Sequence, residues 1–163
     1  MKNQMNAHDL LQAARHIPPP SQASAEEYAS LCEILSASVT RSMLNSPHIA
    51  ELIGGSAHQD MMAENHRNHG LFLCVLLRHY QAEYLVDTVL WVYRAYMSHG
   101  FQRLYWQVQL ETWQNILQEH LSDKAYREIS PIYQFLLHHQ DDFARLSQEV
   151  HQESTNFHRE FPI

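Results

Sequence analysis

Two histidines, His66 and His69, are the residues whose type and spacing are best suited to chemistry. They lie three positions apart in a segment with helical periodicity, so both side chains point to the same side of the helix. That side is apolar, because Met62 and Leu73 share it. A buried polar group without a partner costs roughly 1–3 kcal/mol, so each imidazole needs a hydrogen-bond partner, a ligand or a metal.

Three interpretations of the histidine pair therefore stay open. In the first, the rings hydrogen bond to backbone carbonyls or to buried tyrosines, with Tyr80, Tyr93 and Tyr96 as the candidates. In the second, they contact a cofactor or another ligand. In the third, they ligate a metal ion, since neutral imidazole is a common metal ligand.

No catalytic motif accompanies the pair. The paired Glu-x-x-His segments of di-iron bundles, the His-Glu-x-x-His of zinc proteases, the phosphate-binding glycine loop and the nucleophile elbow are all absent. His79 with Glu83 supplies one fragment of a hemerythrin-like site, and in the acidic and histidine-rich run 138–142 only His139 falls on an apolar face. The sequence thus predicts a protein that is not an enzyme.

Aromatic side chains crowd the middle of the chain, at Trp91, Tyr93, Tyr96, Phe101, Tyr105, Trp106 and Trp113. Such a cluster is typical of a core or an interface, which is the interpretation that the pattern favours. It would also suit a flat aromatic ligand held by a few polar groups.

The elements that position these residues are predicted to be helices throughout. Apolar residues recur at helical spacing over the segments 24–43, 47–53, 56–80, 83–98, 103–120 and 131–150. No segment alternates with a period of two for long enough to form a strand. Only four glycines are present, too few for a fold rich in tight hairpins. The predicted fold class is all-α, with about five to seven helices.

Both ends of the chain are expected to be flexible. Residues 1–23 are predicted to form an N-terminal extension, because Pro18–Pro20 is typical of an extended spacer, although Asp9–His16 fits a short helix. Residues 151–163 lose the apolar period and are predicted to form a C-terminal tail. The helical domain itself spans 24–150.

Composition and charge argue against several classes of function. The formal net charge is −7 and the Lys and Arg residues are scattered singly, so a nucleic-acid partner is not expected. No apolar run reaches the roughly 18 residues that span a bilayer, and no secretory signal is visible, so we expect no membrane partner and a cytoplasmic location. The 13 histidines are a surplus that would suit metal, haem or proton chemistry, but the interpretation that we favour is that most of them are polar surface residues.

The segment Tyr96–Trp106 resembles the stretch that follows the proximal histidine in bacterial globin-coupled sensor domains. In those domains a helix ends, a glycine and a large apolar residue follow, and an aromatic pair opens the next helix. Here Gly100 and Phe101 precede the pair Tyr105 and Trp106. The order of long and short helices along the chain is also globin-like.

The resemblance implies a globin-like sensory or regulatory domain. In an ungapped alignment Tyr96 occupies the position of the proximal histidine, and His99 lies three residues later. Stressosome-type sensor domains are similar in keeping a globin-like fold without haem. Haem is therefore a cofactor that the resemblance allows, with Tyr96 or His99 as the iron ligand and His66 or His69 opposite.

The expected function is that of a non-catalytic sensory or regulatory domain that binds a small ligand or a signalling partner protein. Its pocket is predicted between the segments 56–80 and 83–98. The predicted ligand-binding residues are His66, His69, Tyr93, Tyr96 and His99. The alternatives are a haem- or metal-binding protein with an oxygen-binding or redox role, and a purely structural interaction module.

Self-association is predicted from segment 103–120 and its flanks, which carry two apolar stripes. One comprises Trp106, Leu110, Trp113, Leu117 and Leu121, and the other comprises Phe101, Tyr105, Val108 and Ile116. A helix that is apolar on two sides usually buries one side against its own core and the other against a neighbour. A homodimer through the last two long helices is therefore expected.

Overall fold

The computed structural model of the chain describes residues 3–149, and these residues form helices joined by turns, with no strand among them. The all-α prediction is confirmed. The helices are α1 (Ala7–Arg15), α2 (Gln22–Leu44), α3 (Ile49–Leu52), α4 (Gln59–Arg78), α5 (Ala82–Met97), α6 (Arg103–His120), α7 (Asp123–His138) and α8 (140–149). None of these described helices is both long and apolar enough to cross a membrane. The predicted C-terminal tail, 151–163, lies outside the described residues.

Serine side chains fix the starts of two long helices. α2 begins after Ser21, whose hydroxyl accepts from the backbone N–H of Ser24, so the helix begins two residues before the predicted segment 24–43. α7 begins after Ser122, whose hydroxyl accepts from the N–H of Ala125. α7 then runs through Pro131, where the sequence predicts a new helix start. The buried face of α7 continues across the proline, and the break comes instead at the turn before α8.

The core is organised around the crossing of α2 over α4, the most extensive helix pairing in the described structure. Gly70 of α4 lies at the crossing point. A Cβ atom added there would lie 3.0 Å from the Cys32 sulfur and 3.6 Å from the Trp113 ring. The lack of a side chain at Gly70 therefore lets α2 and α4 approach closely. α6 and α7 pack against α2 and against each other, which closes the core.

α4 and α5 are separate helices. The backbone leaves the helical region at His79 (φ −137°, ψ 70°) and is extended at Gln81 (φ −134°, ψ 119°). The helical hydrogen-bond ladder is interrupted between these residues. α5 therefore takes its own direction, independent of that of α4.

A close contact between two loops fixes where α5 ends. Gly54, before α4, and Gly100, before α6, both have positive φ, at 79° and 95°. A Cβ atom on Gly54 would lie 2.9 Å from the Gly100 carbonyl oxygen, so only glycine fits there without a shift of the backbone. The Gln102 N–H also donates to the Leu52 carbonyl at 2.8 Å. The turn between α5 and α6 is thereby fixed to the end of α3.

The N-terminal segment differs from the flexible extension predicted for 1–23, because α1 docks on the core. Leu10 and Ala14 are completely buried, and α1 packs against α5. The Tyr80 hydroxyl donates to the Ala14 carbonyl oxygen at 2.5 Å. A two-turn apolar stripe is too short to signal burial in a sequence, and its partners lie on a helix far away in the chain.

Polar contacts add to this docking and reach a second helix. Arg15 forms an ion pair with Glu83 of α5 at 2.6 Å. The Met5 N–H donates to the Asp142 carboxylate of α8 at 3.3 Å, and Arg145 donates to the Met5 carbonyl oxygen. The segment before α2 therefore connects α5 with α8.

Both apolar stripes around α6 are buried within the single chain. Apart from half-buried Val108, every member of the two stripes is at most 8% exposed. Both stripes are buried by the fold of one chain, so neither stripe is free to contact a second subunit. The homodimer stays a prediction, and it would need another surface.

Replacing Leu10 by alanine should lower the free energy of unfolding by about 2–5 kcal/mol, the usual cost of truncating a completely buried leucine. Urea denaturation followed by circular dichroism measures it. The matched control is His8→Ala, at an exposed position on the same helix, which should cost less than about 0.5 kcal/mol. Equal effects of the two substitutions would mean that α1 is not docked in solution.

Gly70→Ala should destabilise the protein by about 1 kcal/mol, because crowding against the Cys32 sulfur outweighs the gain in helix propensity. In a Cys32→Ala background the crowding is relieved, and the same substitution should instead stabilise by about 1 kcal/mol. Denaturation of the four proteins of this cycle measures the coupling. The same cost in both backgrounds would show that the crossing does not depend on this contact.

Candidate ligand-binding cleft

His66 is completely buried, and both of its ring nitrogens are hydrogen bonded. Nδ1 lies 2.8 Å from the hydroxyl of Thr40 on α2, and Nε2 lies 3.1 Å from the hydroxyl of Tyr105 on α6. Tyr105 in turn donates to the side-chain oxygen of Asn65 at 2.8 Å. His66 therefore joins three helices and has no ring nitrogen left for a ligand.

One arrangement of protons satisfies this chain of hydrogen bonds. Because the Tyr105 hydroxyl donates to Asn65, its oxygen accepts from Nε2–H of His66, and Nδ1 then accepts from the Thr40 hydroxyl. The ring is neutral in this arrangement. Burial lowers the pKa of His66 to about 3, with a further contribution from neighbouring His69. The imidazole is therefore uncharged at neutral pH.

His69 lies on the same side of α4, one turn after His66, and is half-buried. Its Nε2 lies 2.8 Å from the hydroxyl of Tyr133 on α7, and its ring centroid is 4.6 Å from that of Trp113 on α6. Burial lowers the pKa of His69 to about 3. Nδ1 has no hydrogen-bond partner among the described residues, and the side chain also lines a cleft beside α4.

This cleft has a volume of about 440 Å³ and opens between α4, α5 and α6. Its walls are mainly apolar and include Met61, Phe72, Val89, Val92, Trp106 and Leu110. Trp91 also belongs to the lining and is 62% exposed, which places it at the rim. Small-molecule sites typically have volumes of about 300–1,000 Å³, so the cleft has the size of such a site.

The polar part of the lining carries almost no charge. Asn65, Asn68, Gln109 and Thr88 contribute amides and a hydroxyl, and exposed Glu64 contributes the one carboxylate. No Lys or Arg is among the described residues that line the cleft. A negatively charged ligand would therefore find no opposite charge there.

Two buried donors in the lining have no hydrogen-bond partner among the described residues. They are the Tyr93 hydroxyl and the Trp106 Nε1–H, on side chains that are 3% and 2% exposed. The two rings stack in parallel, with centroids 4.2 Å apart. Outside the lining, Nε1–H of Trp113, the tryptophan that packs on His69, and the acceptor Gln140 Oε1 are also buried and without a partner among the described residues. Unpaired buried polar groups are uncommon and destabilising, so stability does not explain them.

Tyr96 and His99, at the C-terminal end of α5, line the same cleft. Tyr96 is half-buried. Burial, and after it the Glu64 carboxylate, raise the pKa of the Tyr96 hydroxyl, while hydrogen bonds with Asn68 and Asn65 act in the opposite direction. The phenol therefore keeps its proton at neutral pH and remains a hydrogen-bonding group at the edge of the cleft.

Four of the five predicted ligand-binding residues meet at the cleft, namely His69, Tyr93, Tyr96 and His99. His66 does not, because its ring is enclosed in the core. Tyrosines do serve as hydrogen-bond partners of the histidine pair, but the partners are Tyr105 and Tyr133. Tyr105 and Tyr133 lie on α6 and α7, whereas the tyrosines suggested by the sequence, Tyr80, Tyr93 and Tyr96, lie close to α4 in the chain.

The contribution of α6 to the cleft is what sequence reasoning missed. The pattern places Trp106 in an apolar stripe and in the aromatic cluster but not among the predicted ligand-binding residues, and it does not single out Gln109 or Asn65. The sequence nevertheless contains a signal for a polar contact on α6, because Gln109 interrupts the apolar stripes next to Leu110. It is 2% exposed and donates to Asn65 at 3.4 Å. A buried glutamine in an apolar face is a marker of a polar contact.

The many histidines do not form a metal site in the part of the chain that the structure describes. Within residues 3–149, no group of three or more His, Cys, Asp or Glu side chains is arranged to hold a metal ion. Several histidines instead hydrogen bond through Nδ1 to backbone carbonyls, as His16, His58 and His120 do at 2.7–2.9 Å. These rings satisfy backbone groups at turns and helix ends.

The histidine pair should make stability depend on pH. Each pKa is about 3 in the folded chain and about 6.5 in the unfolded chain. Between these values the unfolded chain binds more protons, so the free energy of unfolding falls as the pH falls. From pH 7 to pH 5 the loss should be about 2 kcal/mol for each histidine, measured by urea denaturation.

The test compares how much the free energy of unfolding changes with pH in each protein, and not its absolute value. His66→Gln should remove about half of the loss that the pair causes, because glutamine does not titrate. His8→Gln, at an exposed position on α1, is the matched control for the loss of a histidine. If His66→Gln kept the full pH dependence of the wild type, the core histidine would not be neutral in the folded chain.

Comparison with protein-family models, with curated proteins and with solved structures finds no match for this chain. No relative therefore supplies a function or a set of functional residues. The residues that shape the cleft between α4, α5 and α6 are the best guide to what the protein does.

Proposed function

We propose that this chain is a non-catalytic, globin-like sensory or regulatory domain that binds a small molecule in the cleft between α4, α5 and α6. The cleft itself carries the proposal, as a mainly apolar recess of about 440 Å³ whose lining includes a few polar side chains, among them Asn68, His69 and Tyr96. A mostly apolar pocket with a few converging polar groups is the usual form of a small-molecule site.

A ligand in this cleft would act on α5. That helix forms one wall of the cleft, and its packing against α1 is more extensive than its packing against α4 or α6, the other walls. Filling the cleft adds contacts between α5 and the helices opposite, so a ligand favours one position of α5 over others. α1 carries such a change onwards, because the hydrogen bond from Met5 to Asp142 links its N-terminal side to α8.

The buried histidines support a binding role and argue against a catalytic one. A general base works best when its pKa is near the operating pH, whereas burial lowers the pKa of His66 and that of His69 to about 3. His66 is also engaged through both ring nitrogens. Neither ring is therefore suited to accept a proton from a substrate at neutral pH.

The globin-like resemblance agrees with this choice of site. The segment that carries it, Tyr96–Trp106, spans the end of α5, the turn at Gly100 and the start of α6. Three of its side chains, Tyr96, His99 and Trp106, line the cleft. The residues behind the resemblance are thus among those that shape the proposed ligand site.

The alternative is a haem-binding protein with an oxygen-binding or redox role. One observation favours it: His69 on α4, Tyr96 on α5 and His99 in the turn after α5 line the same apolar cleft, so a candidate iron ligand lies on either side. The hydrogen bond between His69 Nε2 and Tyr133 argues against it, because that nitrogen would have to leave its partner in order to bind iron.

The wild-type protein should bind an uncharged naphthalene fluorophore in a one-to-one complex, seen as increased fluorescence, because the cleft removes apolar surface from water. Ala95 lines the cleft, so Ala95→Trp should occupy part of it and weaken binding about tenfold or more. Ala23→Trp, at an exposed position on α2, is the matched control and should bind as the wild type does.

Two results would count against the proposal. Equal binding by Ala95→Trp and the wild type would mean that the fluorophore uses another site. Absorption spectroscopy after addition of haem tests the alternative, and we expect no stoichiometric Soret band. A tight haem complex that is lost in His69→Ala or Tyr96→Phe would establish the haem protein instead.

A further inference from the structure

The mouth of the cleft, where its lining is open to solvent, presents a carboxylate and an amide. Glu64 and Asn68 are both exposed lining residues, and they lie four positions apart on α4, so their side chains share one side of that helix. None of the ion pairs among the described residues involves Glu64. Its carboxylate is therefore available to pair with a cation that a ligand brings.

Tyr96 of α5 lies opposite these two side chains. Burial, and after it the Glu64 carboxylate, raise the pKa of the Tyr96 hydroxyl, whereas a hydrogen bond with Asn68 acts in the opposite direction. The electrostatic effect and the hydrogen bond both require that Glu64, Asn68 and Tyr96 lie close together. The mouth of the cleft is thus bounded by a negative charge on α4 and a half-buried phenol on α5.

No Lys or Arg opposes Glu64 within the described lining. Burial lowers the pKa of His69 to about 3, so that ring is neutral as well. The formal net charge of the chain is −7, which also attracts cations and repels anions. An anion would therefore be disfavoured in the cleft, and an uncharged compound would leave Glu64 without a partner.

Aromatic rings that are partly open to solvent border the same space. Phe72 and Tyr96 are half-buried, and Trp91 is 62% exposed. Aromatic rings attract organic cations through their faces, and they also pack well against apolar groups. A ligand that carries a positive charge next to an apolar body can therefore use both properties of this lining.

We infer that the cleft binds a lipophilic organic amine in its protonated form, whose ammonium group pairs with Glu64 beside Tyr96 and whose apolar body fills the recess between α4, α5 and α6. This assignment rests on the proposed function, because it names the class of ligand for the same site. The Glu64 carboxylate selects the charge of the ligand, and the apolar walls select its hydrophobic part.

Three naphthalene derivatives of similar size test the assignment by calorimetric titration of the full chain at about pH 8. Naphthylethylamine carries a positive charge at this pH, naphthylethanol is uncharged and naphthylacetate is an anion, whereas an ordinary histidine side chain is neutral. The amine should bind about tenfold more tightly than the alcohol, as expected for an exposed ion pair together with a contact between a cation and an aromatic ring. Naphthylacetate should bind most weakly of the three.

Glu64→Gln isolates the contribution of the carboxylate. The advantage of the amine over the alcohol should fall from about tenfold to about threefold or less, whereas binding of the alcohol should stay as it is. The variant should unfold at the same temperature as the wild type, because Glu64 is exposed and glutamine has nearly the same size. Glu119→Gln, at an exposed position on α6 outside the lining, is the matched control, since it changes the net charge equally, and it should keep the full preference.

The outcomes separate this inference from the proposed function. Equal binding of the amine and the alcohol by the wild type, or an unchanged preference in Glu64→Gln, overturns the ligand class and leaves an apolar small-molecule site. An equal loss of preference in Glu119→Gln overturns it as well, because the charge of the whole surface and not the cleft would then attract the amine. If none of the three compounds binds, the proposed function fails together with the inference.

Discussion

The close approach of α2 to α4 at Gly70 is the constraint on which the rest of the structure depends. With the Cys32 sulfur only 3.0 Å from where a Cβ atom of Gly70 would be, the two helices are held near enough for side chains to bridge them. Thr40 can then reach Nδ1 of His66 at 2.8 Å. The same face of α4 meets α6, where Tyr105 binds the other nitrogen of the ring. A single glycine thus sets the geometry of the central hydrogen-bond chain.

Two kinds of buried polar group stand next to each other in this core, and the contrast between them is informative. The chain of Thr40, His66, Tyr105 and Asn65 is fully satisfied and neutral, so it stabilises one packing of α2, α4 and α6. The donors of Tyr93, Trp106 and Trp113, and the acceptor Gln140 Oε1, have no partner among the described residues. Stability accounts for the first group and not for the second.

The position of α5 explains how such a site and a stable fold coexist. The helix is anchored at its beginning, where Tyr80 and Glu83 contact α1, and at its end, where Gly100 packs on Gly54. Between these anchors, Val89 and Tyr93 line the cleft, and the Tyr93 ring also packs on Trp106 of α6 and Phe143 of α8. A molecule in the cleft would therefore contact the middle of α5, while both ends of the helix are anchored elsewhere.

The sequence by itself determined the class of the fold and the sites of several key side chains. Helical periodicity, the scarcity of glycine and the lack of alternating segments led to an all-α chain, because these are local properties that depend on neighbours three or four positions apart. The same local reasoning put His66 and His69 on the inner face of one helix. It also brought His69, Tyr93 and Tyr96 together, since two successive helices with facing apolar sides pack against a common space.

Only the tertiary structure decided which of the two histidines is enclosed and which one reaches the cleft. His66 and His69 are equivalent in the sequence pattern, and their difference arises from Thr40, Tyr105 and Tyr133, which lie on other helices. The local sequence pattern likewise could not predict that α1 docks on the core or that both stripes of α6 are buried within one chain. The partners in each case are distant in the chain, and a residue's own periodicity contains no information about which helix will pack against it.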